Sequence, residues 1–163
     1  MKRSILYLFW LCLIFMSCKT GSIVTYDNPD FVKDKLYNFQ IDKDLYITAD
    51  IKYVGEDYGI IFHVYSSKDS FENLSIQSLK LIDESGVLFE TNDEINVLVT
   101  SGKSFFDSST NLYQRSFLIS CCHLSSQEIQ QRKKFYTLEY FIKNKQKIEK
   151  LIRKEEKYLI TST

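Results

Sequence analysis

The chain of 163 residues is long enough for one domain with a sizeable apolar core. Its 21 basic and 21 acidic residues balance, which argues against a nucleic-acid-binding protein. Tyrosine and phenylalanine are abundant, with 11 and 12 residues, whereas Pro29 is the only proline. Aromatic side chains suit the half-buried surfaces of sheets, so the composition favours β-strands.

Residues 1–18 have the pattern of a bacterial secretory signal. Lys2 and Arg3 precede an apolar run from residue 4 to residue 17, and Cys18 follows directly. The run is shorter than the roughly 20 residues that a transmembrane helix needs, so a cleaved signal is favoured over a retained span.

The segment Phe15-Met16-Ser17-Cys18 resembles the processing site of bacterial lipoproteins, an apolar residue and two small or apolar residues before a cysteine. Phe15 departs from the leucine that is usual at the first position. The resemblance implies removal of residues 1–17 and attachment of a diacylglycerol to the sulfur of Cys18, usually with a third acyl chain such as palmitate. Two or more chains give stable anchoring. We therefore expect a lipid-anchored protein of the bacterial cell envelope, with the outer membrane as the default location and ordinary secretion as the alternative.

The lipidated cysteine and a short tether are predicted to occupy residues 18–34, and a β-sandwich domain residues 35–163. Asn28-Pro29 is a turn signal within the tether. Because the tether is short, the domain is expected close to the membrane.

Alternating apolar and polar residues predict strands through most of the domain. The clearest alternation places Ile47, Ala49 and Ile51 in the core and Thr48, Asp50 and Lys52 in water. Gln77 and Ser78 mark a possible irregularity in another strand. The further predicted strands cover residues 37–41, 59–66, 74–82, 87–91, 95–99, 112–122 and 135–142.

The last segment, residues 145–160, fits two structures. Ile148, Leu151 and Ile152 share one helical face, but the short polar turn before residue 147 favours a hairpin, and we predict a strand. A capping-box pattern beginning at Ser125 predicts one short helix near residues 126–133. The fold class is therefore expected to be an all-β, antiparallel, immunoglobulin-like sandwich of seven to nine strands with that helix.

Basic residues dominate from residue 132 to residue 157. Such a run is commonly a solvated sheet face. Alternatively it touches an anionic glycan, a lipid headgroup or a partner protein.

Cys121 and Cys122 are the only cysteines left once residues 1–17 are removed and Cys18 is acylated. Neighbouring strand residues point to opposite faces, so we expect two free thiols, with a strained vicinal disulfide as the alternative. His123 follows them, but the only other histidine is His63. Since a closed metal site needs about four ligands, we expect no metal and no cofactor.

No nucleophile elbow, phosphate-binding glycine loop or zinc-protease motif occurs in the sequence, so no catalytic residue is assigned. Phe105 and Phe106 lie in a predicted polar loop spanning residues 104–111. They are expected either to plug one end of the sandwich or to contact a partner or a glycan.

These observations favour a membrane-anchored, non-catalytic binding or structural module that contacts another envelope protein. The alternative is a surface module that binds a glycan or other ligand through loop aromatics. A further alternative is a carboxylate-dependent hydrolase, whose acid and base need only lie close in space.

Overall fold

The computed structural model describes residues 19–54, 57–71, 74–97, 104–124 and 133–160. The chain divides into two compact units. The larger is Thr25–Lys154, and the smaller combines Met1–Val24 with Glu155–Thr163; the described residues of the smaller unit are all strand. In the described ranges we find no helix with the length and hydropathy needed to cross a membrane.

The described residues form strands almost throughout, with one 3₁₀ helix at Lys33–Phe39. In chain order the strands are β1 (Lys19–Asp27), β2 (Gln40–Asp42), β3 (Leu45–Val54), β4 (Asp57–Ser66), β5 (Leu74–Asp83), β6 (Gly86–Thr91), β7 (Ile95–Val97), β8 (Phe105–Asp107), β9 (Leu112–Leu124), β10 (Phe135–Ile142) and β11 (Lys145–Ile160). The hydrogen-bonded order is β6-β5-β10-β11-β1-β3-β4-β9-β8, with β2 on β3 and β7 on β5. The sheet is therefore open, with β6 and β8 as its edges.

The core of the larger unit lies where this sheet folds over onto itself. Phe62 of β4 meets Tyr140 of β10 edge-to-face at 5.0 Å, although these strands are not neighbours in the sheet. Ile47, Ile51 and Leu138 are completely buried in the same core. Burying an aliphatic or aromatic side chain contributes about 1.5–3 kcal/mol, and this packing holds the two layers together. The predicted all-β antiparallel sandwich is confirmed.

The β10–β11 hairpin confirms that residues 145–160 form a strand. Ile142 pairs with Lys145 across a two-residue turn. Both turn residues, Lys143 and Asn144, have positive φ, 47° and 60°. Two consecutive left-handed residues give a turn that matches the right-handed twist of the flanking strands.

The predicted irregularity in β5 and the turn that follows it are also present. Ser78 and Ile76 pair with consecutive residues of β10, which leaves Gln77 as the extra residue of a bulge. Gly86 begins β6 with φ 130°, a backbone conformation that side chains strongly disfavour.

The prediction of a strand over residues 37–41 is wrong for most of its length. Residues up to Phe39 form the 3₁₀ helix, and only Gln40 and Ile41 lie in a strand, β2. Tyr37 is 71% exposed, so the apparent alternation does not describe one buried face. Phe39 is buried by packing against Phe31 at 5.0 Å, a contact between helix and preceding loop.

Residues 18–34, predicted as a tether, contain strand β1. Tyr26 of that strand is completely buried and packs edge-to-face on Tyr136 at 4.6 Å. The packed structure therefore begins before residue 35, because Tyr26, a residue of the predicted tether, is buried in the core.

The polar loop predicted for residues 104–111 contains the short edge strand β8, which pairs with β9, and only its second half is a turn. With β8, β7, β2 and β1 counted, the described sheet has more than the seven to nine strands expected. The helix predicted near residues 126–133 falls outside the described part of the chain, apart from Lys133, which is not helical. The backbone of β9 runs through Cys121 and Cys122, and the predictions about their side chains lie outside the described residues.

Candidate functional site

Strand β3 is buried on both of its faces. Ile47, Ala49 and Ile51 lie in the core, as the alternation predicts. Thr48 and Asp50, predicted to face water, are only 5% and 6% exposed, so that prediction is wrong. A second, polar layer of side chains covers this outer face.

The chain that leaves β1 forms part of this cover. Phe31 packs on Tyr65 of β4 at 4.6 Å and on Phe39 at 5.0 Å, and Tyr65 is 6% exposed. The backbone N–H of Asp30 is bonded to the side chain of Asn28, an Asx turn that bends the chain here. The segment thereby shelters the outer face of β3 and β4 from water.

Glu149 of β11 is buried beside β3, with 4% of its surface exposed. Its carboxylate accepts hydrogen bonds from the Tyr140 hydroxyl at 2.6 Å and the Asn28 amide at 2.7 Å. The Thr48 hydroxyl at 2.7 Å and the backbone N–H of Ala49 at 3.4 Å also donate to it. A buried carboxylate is tolerated only with such partners. Glu149 therefore links β3, β10, β11 and the loop after β1.

Burial is the largest influence on both ionisable groups of this cluster. It raises the pKa of Glu149 above its ordinary value, while the hydrogen bonds that the carboxylate accepts oppose the rise. Burial, and then the nearby charge of Glu149, raises the pKa of Tyr140 well above 10. Tyr140 thus keeps its proton and remains a hydrogen-bond donor.

Asp50 is the centre of a second polar cluster on the same face. Its Oδ2 lies 2.7 Å from Nε2 of His63 and 2.5 Å from Nζ of Lys52. The antiparallel register places His63 of β4 opposite Thr48, two residues from Asp50 along β3 and therefore on the same face. Residues from neighbouring strands therefore converge on one carboxylate.

The other ring nitrogen of His63 meets two residues of β9. Nδ1 lies 2.6 Å from the Ser116 hydroxyl oxygen and 2.7 Å from Nε2 of Gln114. Both groups can donate, but an unprotonated Nδ1 has a single lone pair and accepts from one of them at a time. In the tautomer with the proton on Nε2, the imidazole donates to Asp50. In that tautomer Nδ1 can accept the hydroxyl proton of Ser116.

A pocket of about 540 Å³ opens over this polar face. Asp50 and Asp27 line it together with three cations, Lys52, Arg153 and Lys154. Oδ1 of both aspartates is buried and has no hydrogen-bond partner among the described residues. The surrounding cations favour a ligand with negative charge.

The rest of the pocket wall combines flat apolar surfaces with polar groups. Phe31 and Tyr65 supply aromatic surface, and Asn28 and Gln114 supply amides. A concave site with aromatic walls and a few convergent polar groups is the usual form of a small-molecule site.

The predicted contact residues Phe105 and Phe106 lie elsewhere, on the edge strand β8. They are 55% and 54% exposed, and neither lines the pocket. Phe106 rests edge-to-face on Tyr113 at 5.4 Å. Whether they contact a partner stays a prediction.

Sequence reasoning missed most of this site. It placed Asp50 in water and assigned no functional role to His63 or Glu149. Only the buried position of Thr48 and Asp50 reveals the polar layer, and the residues that bury them are distant in sequence. No group of three or more histidine, cysteine, aspartate and glutamate side chains suited to a metal ion occurs within the described ranges.

No protein-family model matches this chain, and comparisons with curated proteins and with solved structures found no significant match.

Proposed function

We propose that the protein is an outer-membrane lipoprotein, anchored through Cys18, that binds an acidic saccharide in the pocket over β3, β4 and β9. The anchor rests on the apolar run and the Ser17-Cys18 junction. The binding function rests chiefly on one observation, the pocket in which Asp50 and Asp27, each with an Oδ1 that has no hydrogen-bond partner among the described residues, lie beside three cations.

The chemistry of the lining favours a saccharide over an apolar ligand. Sugar hydroxyls donate hydrogen bonds, which Oδ1 of Asp50 and Oδ1 of Asp27 can accept. The apolar face of a sugar ring can lie on Phe31 or Tyr65, both of which line the pocket. A charge-assisted hydrogen bond of this kind contributes about 1.5–3 kcal/mol.

The charges favour an acidic sugar over a neutral one. Lys52, Arg153 and Lys154 outnumber the two aspartates of the pocket. Lys154 already pairs with Asp27 at 3.2 Å, but 64% of its side chain is exposed and it can also meet a carboxylate of the ligand. The basic character of residues 132–157 extends this attraction beyond the pocket.

A calorimetric titration tests the proposal with lipidated protein purified in detergent. The probes are oligogalacturonate, which is acidic, and a neutral oligogalactoside of the same length. We expect binding of the acidic probe, and an affinity lower by about 10- to 100-fold in Asp50→Asn, the equivalent of about 1.5–3 kcal/mol. Lys154→Ala, a change at an exposed side chain, should also weaken binding.

Asp34→Asn is the matched control, because Asp34 is exposed and lies outside the pocket. It should bind as the wild type does. Equal affinity for the acidic and neutral probes, or no effect of Asp50→Asn and Lys154→Ala, would refute the proposed ligand class.

A further inference from the structure

Ser116, His63 and Asp50 form a continuous chain of hydrogen bonds across three neighbouring strands. The Ser116 hydroxyl lies 2.6 Å from Nδ1 of His63, and Nε2 of His63 lies 2.7 Å from Oδ2 of Asp50. The β4–β9 register places His63 directly opposite Ser116. A nucleophile bonded to a base, which is itself oriented by a third group, is the general arrangement of an activated serine.

The neighbouring residues suit His63, Asp50 and Ser116 to their roles as base, orienting carboxylate and nucleophile. With the proton on Nε2, the imidazole donates to Asp50, and the single lone pair of Nδ1, which the Gln114 amide also approaches at 2.7 Å, accepts the proton of Ser116. Asp50 is 6% exposed, so its hydrogen bond with the imidazole is shielded from water. Ser116 is exposed, so a substrate can reach its hydroxyl.

We propose that Ser116 is a nucleophile that accepts an acyl group from an ester. This activity goes beyond saccharide binding and rests on a different observation. Ser116 Oγ attacks the carbonyl carbon of the ester while its proton passes to Nδ1 of His63. The bond to the alkoxy oxygen then breaks, and the leaving alcohol takes that proton. Water, deprotonated by the same imidazole, hydrolyses the acyl-serine and restores the hydroxyl.

The substrate class follows from the groups near the attacked carbon. Nε2 of Gln114 lies 3.2 Å from Ser116 Oγ, so its amide N–H groups lie beside the reacting hydroxyl. An ester is the proposed substrate because its alkoxide departs more easily than an amine. His63 and Gln114 also line the pocket, so the alcohol portion of the ester is expected to lie there.

The test uses lipidated protein in detergent with p-nitrophenyl acetate as the substrate and a fluorophosphonate as the covalent probe. We expect hydrolysis above the buffer rate, and peptide mass spectrometry should find the probe on Ser116. Ser116→Ala, a change at an exposed side chain, should abolish both the labelling and the turnover. His63→Gln should lower turnover by about 10²- to 10⁴-fold, the usual contribution of a general base.

Ser109→Ala is the matched control, since Ser109 is also exposed and bonds a carboxylate, that of Asp107, at 2.7 Å. It should leave turnover unchanged. Asp50 is a positioning residue in this scheme, so Asp50→Asn should lower kcat while KM for this small ester stays the same. Unchanged turnover in Ser116→Ala, labelling at another residue, or no turnover at all would overturn the proposal. A failure here would leave the calorimetric result for oligogalacturonate intact, because that titration involves no acyl transfer.

Discussion

Glu149 is a buried carboxylate whose burial depends on its hydrogen-bond donors. At 4% exposure its carboxylate relies on donors from three other parts of the chain, namely Tyr140, Asn28 and the Thr48–Ala49 stretch. Such a network ties strands together only while every member remains satisfied. It also prepares the adjoining pocket, because Asn28 and Thr48 belong to both.

Removing one donor tests this view. Tyr140→Phe should lower the free energy of unfolding by about 1–3 kcal/mol, because a buried carboxylate oxygen loses its hydrogen bond. Tyr37→Phe, at a side chain that is 71% exposed, should stay within about 0.5 kcal/mol of the wild type. Urea denaturation curves compare the two variants, and equal small effects would show that the Glu149 cluster adds little to stability.

Asp83, whose carboxylate is buried, forms an ion pair with the partly buried Lys133 at 2.9 Å. Although burial opposes the change, hydrogen bonds from Lys133 and from the backbone N–H groups of Ser85 and Gly86 lower the pKa of Asp83. A carboxyl with a lowered folded-state pKa adds stability above its unfolded pKa, about 3.9, and loses that contribution as the pH falls through the folded value.

Lys133→Met should therefore destabilise the protein by about 1.5–3 kcal/mol at pH 7. The difference from the wild type should shrink as the pH falls from about 4 through the lowered folded-state pKa of Asp83, because protonation removes the charge with which Lys133 pairs. Lys134→Met, at the exposed neighbouring lysine, provides the control. Thermal melts across this pH range measure the stability difference between the wild type and Lys133→Met. A difference that grows on acidification would show that the pKa of Asp83 is not lowered in the folded protein.

At the scale of elements, the hairpin turns set the register of the sheet. The β5–β6 turn needs Gly86 because its φ is 130°. A β-carbon added there would meet nothing within 4 Å, so backbone strain is the only penalty. Gly86→Ala should cost about 1–3 kcal/mol, a value typical of a residue held in a disfavoured backbone region.

Equilibrium unfolding of Gly86→Ala measures this cost. Gln77→Ala, in the exposed bulge of the adjacent strand, should have a much smaller effect. A neutral result at Gly86 would mean that the turn relaxes to another conformation.

The positions of most strands were predictable because the sequence pattern of a strand lies within the strand itself. The period-2 alternation in β3 and the polar turn before β11 are both visible within a few residues. The alternation does not predict which residues cover the second face of a strand. Thr48 and Asp50 occupy the polar positions of the alternation, as solvated residues would, but Glu149, which covers Thr48, is 101 residues away in the sequence.

The site was less predictable than the fold for the same reason. Asp50, His63 and Ser116 belong to three strands, and they meet only because of the registers between β3, β4 and β9. A shift of one residue in either register would send His63 or Ser116 to the opposite face. Nothing in the local sequence fixes those registers.

At the scale of the whole molecule, the proposed anchor determines where any bound ligand is presented. Two or three acyl chains on Cys18 would hold the protein at the membrane, since each buried methylene contributes about 0.8 kcal/mol. Tyr26 is already packed in the core, so only a few residues separate Cys18 from folded structure. The protein is thus proposed to be held close to the membrane surface.

Cys18→Ala should release the protein from the membrane fraction, because it removes the proposed site of acylation. Metabolic labelling with a fatty-acid analogue should mark the wild type alone. Cys12→Ala, within the predicted signal, is the matched control and should leave labelling unchanged. Equal labelling of the Cys18→Ala variant would rule out this anchor.

Hydrogen exchange followed by mass spectrometry tests most directly whether the outer face of β3 and β4 is the binding surface. The lipidated protein in detergent is compared with and without oligogalacturonate. With oligogalacturonate bound, we expect slower exchange in peptides that cover residues 27–31, 48–52 and 152–154, and no change in the peptide that covers Phe105 and Phe106. Protection confined to β8, or no protection anywhere, would contradict it.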